Sequence, residues 1–142
     1  MKQRTKTQSL EQRSVQRRSG LAAAEFAVCL PVLLVIIFGS IESCTMIFLK
    51  QSLTVAAYEG VRVGITGGTD NSDVAAASNQ ILTDRHVNNG TIVTIPADLS
   101  TASVGDYITV RVLAPCNENS ALSGWFFNNV TLDGEATMMK EF

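Results

Sequence analysis

The chain has 142 residues and a formal net charge of −2, and 46% of its residues are hydrophobic. That length leaves room for one compact domain at most. The small net charge conceals an asymmetry: residues 1–20 carry six basic side chains and one acidic, net +5, whereas residues 21–142 carry five basic and twelve acidic, net −7. The basic end has no aromatic residue and no nucleic-acid-binding motif, so we expect no nucleic-acid partner.

Residues 1–20 are rich in Lys, Arg, Gln, Ser and Thr, which predicts a disordered basic leader. This leader directly precedes a strongly apolar run. Basic residues beside a membrane segment favour the cytoplasmic side. We therefore expect a cytoplasmic N-terminus and place the acidic remainder of the chain across the membrane.

The apolar run covers residues 21–49 and contains only two charged residues, Glu25 and Glu42. About 20 residues of helix cross the hydrocarbon layer of a bilayer. The run is longer than the apolar part of a secretory signal peptide, which has about 7–15 residues. It therefore predicts a transmembrane helix, bent where Pro31 removes one backbone hydrogen bond. Glu42 is expected near the outer headgroups, with no assigned role.

The helix is predicted to continue out of the membrane through residues 50–65, where apolar residues recur at helical spacing. Those residues are Leu53, Ala56, Ala57 and Val61. Glycines at 64, 67 and 68 end the pattern. A short second helix is predicted over residues 73–85, with Asp70 or Ser72 as its N-cap. Its apolar stripe is Val74, Ala77, Ile81 and Leu82.

Three strands are predicted after the Asn88-Asn89-Gly90 turn signal, over residues 91–95, 107–113 and 130–138. The second strand places Ile108, Val110 and Val112 on one face, and the third places Val130, Leu132, Ala136 and Met138 inward. Trp125, Phe126 and Phe127, just before the third strand, are expected in the core. The fold class is thus α+β: a long N-terminal transmembrane helix extends into a small extracytoplasmic domain, residues 66–142, with a short helix and an antiparallel sheet.

The chain has three cysteines and one histidine, His86. Cys29 is expected to be a small buried residue in the span. Cys44 and Cys116 could form a disulfide, within or between chains, in an oxidising compartment. One histidine without ligand pairs does not complete a zinc site, and no nucleophile motif accompanies it. We expect no metal, no cofactor and no enzymatic activity.

Glu25 lies five residues after Gly20, at the start of the apolar run. A charged side chain in the membrane costs a few kcal/mol, so this carboxylate calls for a reason. One interpretation is processing after Gly20 followed by pairing of Glu25 with a cation. Alternatively, Gly20 is a flexible joint and Glu25 is an interfacial carboxylate shielded by Arg17 and Arg18.

The order and spacing of several short pieces in this region form a pattern. They run from Arg18 to Ala27, from Leu30 to Leu34, through Phe38, Gly39 and Glu42, and then through Gln51, Leu53, Ala56, Ala57, Glu59, Gly60 and Val61 to Arg62. In this pattern, residues 18–62 resemble the TadE-like family, whose members belong to the tight-adherence pilus machinery. Phe26 stands where the main pilins of that machinery usually carry tyrosine, which fits the minor, TadE-like group.

The resemblance implies a single-pass, pseudopilin-like protein of the cytoplasmic (inner) membrane with a periplasmic domain. It implies cleavage between Gly20 and Leu21 by a prepilin peptidase, with Glu25 and Phe26 in the assembly region. Its implied partners are the membrane, that peptidase, other pilin or pseudopilin subunits and the pilus assembly platform. The alternative is a signal-anchored extracytoplasmic binding or scaffold module that never enters a pilus.

Overall fold

The structure, a computed structural model, describes residues 4–122 and 127–141, with side chains described from Gly20 onward. Trp125 and Phe126, expected in the core, lie outside the described residues, whereas Phe127 packs against the core. The chain forms two compact units, one ending at Gly39 and the other beginning at Ser40. The α+β architecture predicted from the sequence is confirmed.

The first helix, α1, spans Arg4–Gly64 and continues through Pro31. Its end confirms the predicted extension, but it begins at Arg4 rather than near Leu21, so the prediction of a disordered leader is wrong. The leader is rich in Lys, Arg and Gln, which lose little side-chain freedom in a helix, and it has no proline. Within α1, Gly20–Gly64 contains a stretch long and apolar enough to cross a membrane.

The second helix, α2, spans Asn71–Asp84 and is capped by Asp70 rather than Ser72. The Asp70 carboxylate accepts hydrogen bonds from the backbone N–H groups of Ser72 at 2.8 Å and Asp73 at 3.1 Å. The Asp73 carboxylate accepts one from the Asp70 N–H in return, at 3.1 Å. This reciprocal capping satisfies N–H groups that have no partner inside the helix, and it starts α2 two residues before the predicted position.

Three antiparallel strands form one sheet in the order β1-β2-β3: β1 is Thr91–Ile95, β2 is Tyr107–Pro115 and β3 is Thr131–Met139. A 3-10 turn, Leu99–Thr101, lies between β1 and β2. The prediction that Val130 points inward is wrong, because β3 starts after it and Val130 is exposed. Asn129 has a left-handed φ of 62°, which turns the chain just before the strand begins.

The core lies between the sheet and the two helices of the second unit. The predicted buried residues of β2 are confirmed: Ile108, Val110 and Val112 are each 0% exposed. The α1 extension packs on the sheet so closely at Gly134 that a Cβ there would collide with the backbone of Leu53 and Thr54. The helical contributors to the core are Met46, Leu49, Leu53, Ala56, Ala57, Val61, Val74 and Leu82.

Candidate functional site

The start of the apolar part of α1 holds the four residues that the sequence assigns to processing and assembly. Leu21 is 63% exposed and Phe26 is 61% exposed. Gly20 is exposed too, and within the described residues a Cβ added there would have no neighbour within 4 Å outside the backbone of its own helix. This part of the helix therefore presents its side chains outward and would tolerate larger ones.

Glu25 is exposed on α1 beside a shallow hollow of about 400 Å³ lined by Ala24, Glu25, Val28 and Cys29. In the part of the chain whose side chains are described, no hydrogen bond or ion pair engages the Glu25 carboxylate. Its surroundings in the hollow are small or apolar. An exposed carboxylate beside small and apolar side chains is suited to accept a cationic group.

The second acidic residue of the apolar run, Glu42, has the opposite environment. Its side chain is 0% exposed, and its Oε1 accepts a hydrogen bond of 2.6 Å from the Ser120 hydroxyl. Its Oε2 is buried without a hydrogen-bond partner in the described structure. Glu42 is therefore buried by its own chain, whereas its position near the outer headgroups stays a prediction.

A signal for the burial of Glu42 was present in the sequence. Met46, Leu49 and Leu53 follow Glu42 at spacings of four, seven and eleven residues, which places all four on one face of a helix. All four are buried. Extending the predicted stripe of the helix backwards from Leu53 would have placed Glu42 in the core.

Cys116 lies in the core near Glu42 and is 1% exposed. Burial raises the pKa of the Cys116 thiol, and the negative charge of Glu42 raises it further. Because the thiolate is the reactive form, this cysteine is a poor nucleophile at neutral pH. Its role in the structure is to fill the core.

All three cysteines are free in the structure. The Cys44–Cys116 bridge is not formed: Cys44 is exposed on α1 and Cys116 is buried. Cys29 is exposed on the helix surface rather than buried, because it lies on α1 before Gly39, where the described side chains face outward. Among the residues with described side chains, no three of His, Cys, Asp and Glu come together in a metal-binding group.

A family model described as TadE-like protein matches residues 20–62. This segment is TadE-like. The match begins at Gly20, includes both Glu25 and Glu42, and ends two residues before the end of α1. No curated protein and no solved structure matches the chain significantly.

The TadE-like segment confirms the resemblance seen in the sequence and supports a component related to the tight-adherence pilus. The match covers most of α1 beyond the leader and none of α2 or the sheet. Together with the single candidate membrane helix in the described residues, it supports a membrane-anchored protein.

Proposed function

We propose that this chain is a pseudopilin-like component of tight-adherence pilus assembly and secretion, processed after Gly20 by a prepilin peptidase. The observation that carries the proposal is the TadE-like segment, which starts at Gly20 and continues as helix past an exposed Glu25. Its role is structural rather than enzymatic.

We propose that the chain crosses the inner membrane once, with residues 1–20 in the cytoplasm and the sheet domain in the periplasm. The support is the charge difference between the leader, net +5, and residues 21–142, net −7. This orientation presents the Gly20–Leu21 bond at the cytoplasmic face of the membrane.

Cleavage after Gly20 would give Leu21 a free amine four residues before Glu25. An amine and a carboxylate in a low-dielectric setting stabilise each other when they pair. Glu25 would then bind the new amine of a neighbouring pilin or pseudopilin subunit, which would account for a carboxylate at the start of an apolar run.

The test is the intact mass of the protein purified from its own host, with Gly20→Val and Gly39→Val as matched variants. Among the described residues, a Cβ added at either glycine would meet nothing within 4 Å outside its own helix backbone. We expect the native and Gly39→Val chains to begin at Leu21 and the Gly20→Val chain to retain its leader. A native chain that retains residues 1–20 would contradict processing and favour the signal-anchored binding module.

Glu25→Ala separates assembly from processing. We expect this variant to insert in the membrane and to be cleaved, yet to be lost from the pilus or its assembly platform. Pilus-associated protein is measured after shearing from the cells, with membrane-bound protein as the control for insertion. Normal incorporation of Glu25→Ala would contradict the pairing of Glu25 with a subunit amine.

A further inference from the structure

One side of α1 in the second unit carries a row of exposed residues at alternating spacings of three and four. We call this row the α1 seam; it consists of Ile41, Cys44, Phe48, Gln51, Val55 and Tyr58. Every one of them is exposed. Spacings of three and four give a mean repeat of 3.5 residues, which is the a/d pattern of helices that pack side by side in a coiled coil.

The seam lies opposite the face of α1 that packs in the core of the second unit. The core positions are Glu42, Met46, Leu49, Leu53, Ala56, Ala57 and Gly60. At 3.6 residues per turn these positions lie about half a turn away from the seam. The protein's own sheet therefore cannot cover the seam, and the described residues leave it open.

The far part of the seam extends beyond the membrane. Lys50, the first residue beyond the predicted span of residues 21–49, is charged and pairs with Asp133 of β3 at 3.4 Å. Beyond it, Val55 is 38% exposed and Tyr58 is 53% exposed, and Phe48 at the end of the span is 51% exposed. Exposed apolar side chains that continue past the predicted span are suited to an interaction surface.

We propose that the α1 seam is the interface with a second copy of this chain in a parallel dimer. Two copies anchored by the same apolar segment run in the same direction at the same depth in the membrane. Each seam residue therefore faces its own counterpart, which is the arrangement of a two-fold symmetric interface. A partner with a different anchor would have no such built-in register.

Gln51, the one polar amide of the seam, fits self-pairing. A glutamine side chain carries both a donor and an acceptor, so two facing glutamines satisfy each other. A polar side chain at one seam position also fixes the register of a coiled coil. The seam ends at Tyr58, because the next position at the same spacing is the charged Arg62. Arg62 pairs with Glu59 of the same chain at 2.6 Å.

The area of the seam corresponds to a small dimer interface that the membrane anchors would reinforce. A buried aromatic side chain removes about 150–250 Å² from water, and Phe48 and Tyr58 each still expose about half of theirs. With the four other seam residues, each helix would bury several hundred Å², which is less than the roughly 800 Å² per partner of a standard stable interface.

Cys44 provides the test, because its position in the seam would bring two thiols together at the dimer axis. The full chain with Cys29→Ser is expressed in membranes and treated with copper phenanthroline. We expect a disulfide-linked dimer through Cys44. The matched control moves the thiol by one residue, with Ser43→Cys and Cys44→Ser, to an exposed position outside the seam at nearly the same depth.

We expect the Ser43→Cys control to lose the dimer, and Cys44→Ser alone to lose it as well, because Cys116 is buried. Val55→Cys in the Cys44→Ser background should restore it outside the membrane. Equal cross-linking at residues 43 and 44, no dimer at Cys44, or cross-linking only to a different protein would each overturn the proposal.

A second measurement does not depend on thiols. Two differently tagged full-length copies are co-expressed, extracted in mild detergent and purified on one tag. We expect the second copy to co-purify, and Phe48→Asp with Val55→Asp to abolish its recovery without unfolding the domain, since neither side chain is in the core. Full recovery with this double variant would refute the seam as the interface. Neither measurement requires cleavage after Gly20.

Discussion

Glu25 and Glu42 are the same residue type, 17 positions apart on one helix, in opposite environments. Glu25 is exposed and engages no described partner, whereas Glu42 is 0% exposed and accepts a hydrogen bond from Ser120. The two environments differ because distant parts of the chain pack around Glu42 and, among the described residues, none packs around Glu25. From Ser40 onward the helix belongs to the unit that contains the sheet, and residues far along the chain cover one of its faces.

The comparison separates two uses of a carboxylate on an apolar helix. A carboxylate that its own chain buries is part of that chain's structure, and removing it should cost stability. A carboxylate that no described side chain engages is instead free to serve another molecule, as we propose for Glu25 in assembly. Glu42, in contrast, belongs to the domain.

The largest expected difference in stability is between substitutions of two glycines, Gly134 in the sheet and Gly39 at the end of the first unit. Gly134→Ala would drive a Cβ into the backbone of Leu53 and Thr54, and neither backbone can move without displacing α1 from the sheet. We expect a loss of about 3 kcal/mol or more, at or beyond the upper end of the usual cost of overpacking. Thermal unfolding of the full-length protein in detergent, followed by circular dichroism, measures it.

The matched control is Gly39→Ala, at the end of the first unit, where a Cβ would meet nothing within 4 Å outside its own helix backbone. We expect unchanged or slightly higher stability, because alanine favours a helix over glycine by about 0.5–1 kcal/mol. Equal effects of the two variants would mean that α1 does not lie on β3 at Gly134.

Removing the hydroxyl that supports Glu42 should have an intermediate effect. Ser120→Ala leaves a buried carboxylate without its donor, which costs about 1–3 kcal/mol. Glu42→Met replaces that carboxylate with an apolar chain of similar length, so we expect a change within about 1 kcal/mol and no further loss when Ser120→Ala is added. Chemical denaturation of the four proteins in this cycle measures the coupling.

The corresponding change at the other carboxylate, Glu25→Met, is the control, and we expect it to leave the unfolding of the domain unchanged. Additive losses from Ser120→Ala and Glu42→Met would show that the two side chains do not interact. A loss in Glu25→Met as large as that in Ser120→Ala would remove the distinction between the two carboxylates.

The sequence could predict the features that depend on near neighbours. Ile108, Val110 and Val112 alternate with outward residues on one strand, so their common burial follows from local periodicity. The extension of α1 to Gly64 follows in the same way from the spacing of Leu53 and Ala57. The TadE-like segment was identified in a different way, by the resemblance of its short residue groups, in order and spacing, to a known family.

Local periodicity could not predict contacts between residues that are far apart in the sequence. The partner of Glu42 is Ser120, 78 residues away, and the backbone that meets Gly134 is about 80 residues away. No local pattern connects either pair. The early start of α1 at Arg4 was missed for a different reason: polar helix formers without an apolar stripe resemble a disordered segment in composition.

A third carboxylate, Asp70, extends the comparison with the smallest expected effect. Unlike Glu42 it is exposed, and unlike Glu25 it has described partners: its Oδ1 accepts hydrogen bonds from the hydroxyl of Ser72 and the N–H groups of Asp73 and Ser72. Hydrogen bonds to the charged form lower the pKa of Asp70, the largest contribution coming from the Ser72 hydroxyl. The folded protein therefore binds this proton less readily than the unfolded chain.

A pKa that is lower in the folded state gives stability that is present above the unfolded value of about 3.9 and is lost as the pH falls through the folded value. Asp70→Asn keeps an oxygen that can cap α2 but does not titrate. We therefore expect the native chain to lose its advantage over Asp70→Asn as the pH falls below about 4, in unfolding temperatures measured across pH. A difference that stays constant down to the lowest pH would show that the charge of Asp70, in contrast to the burial of Glu42, plays no part in holding α2.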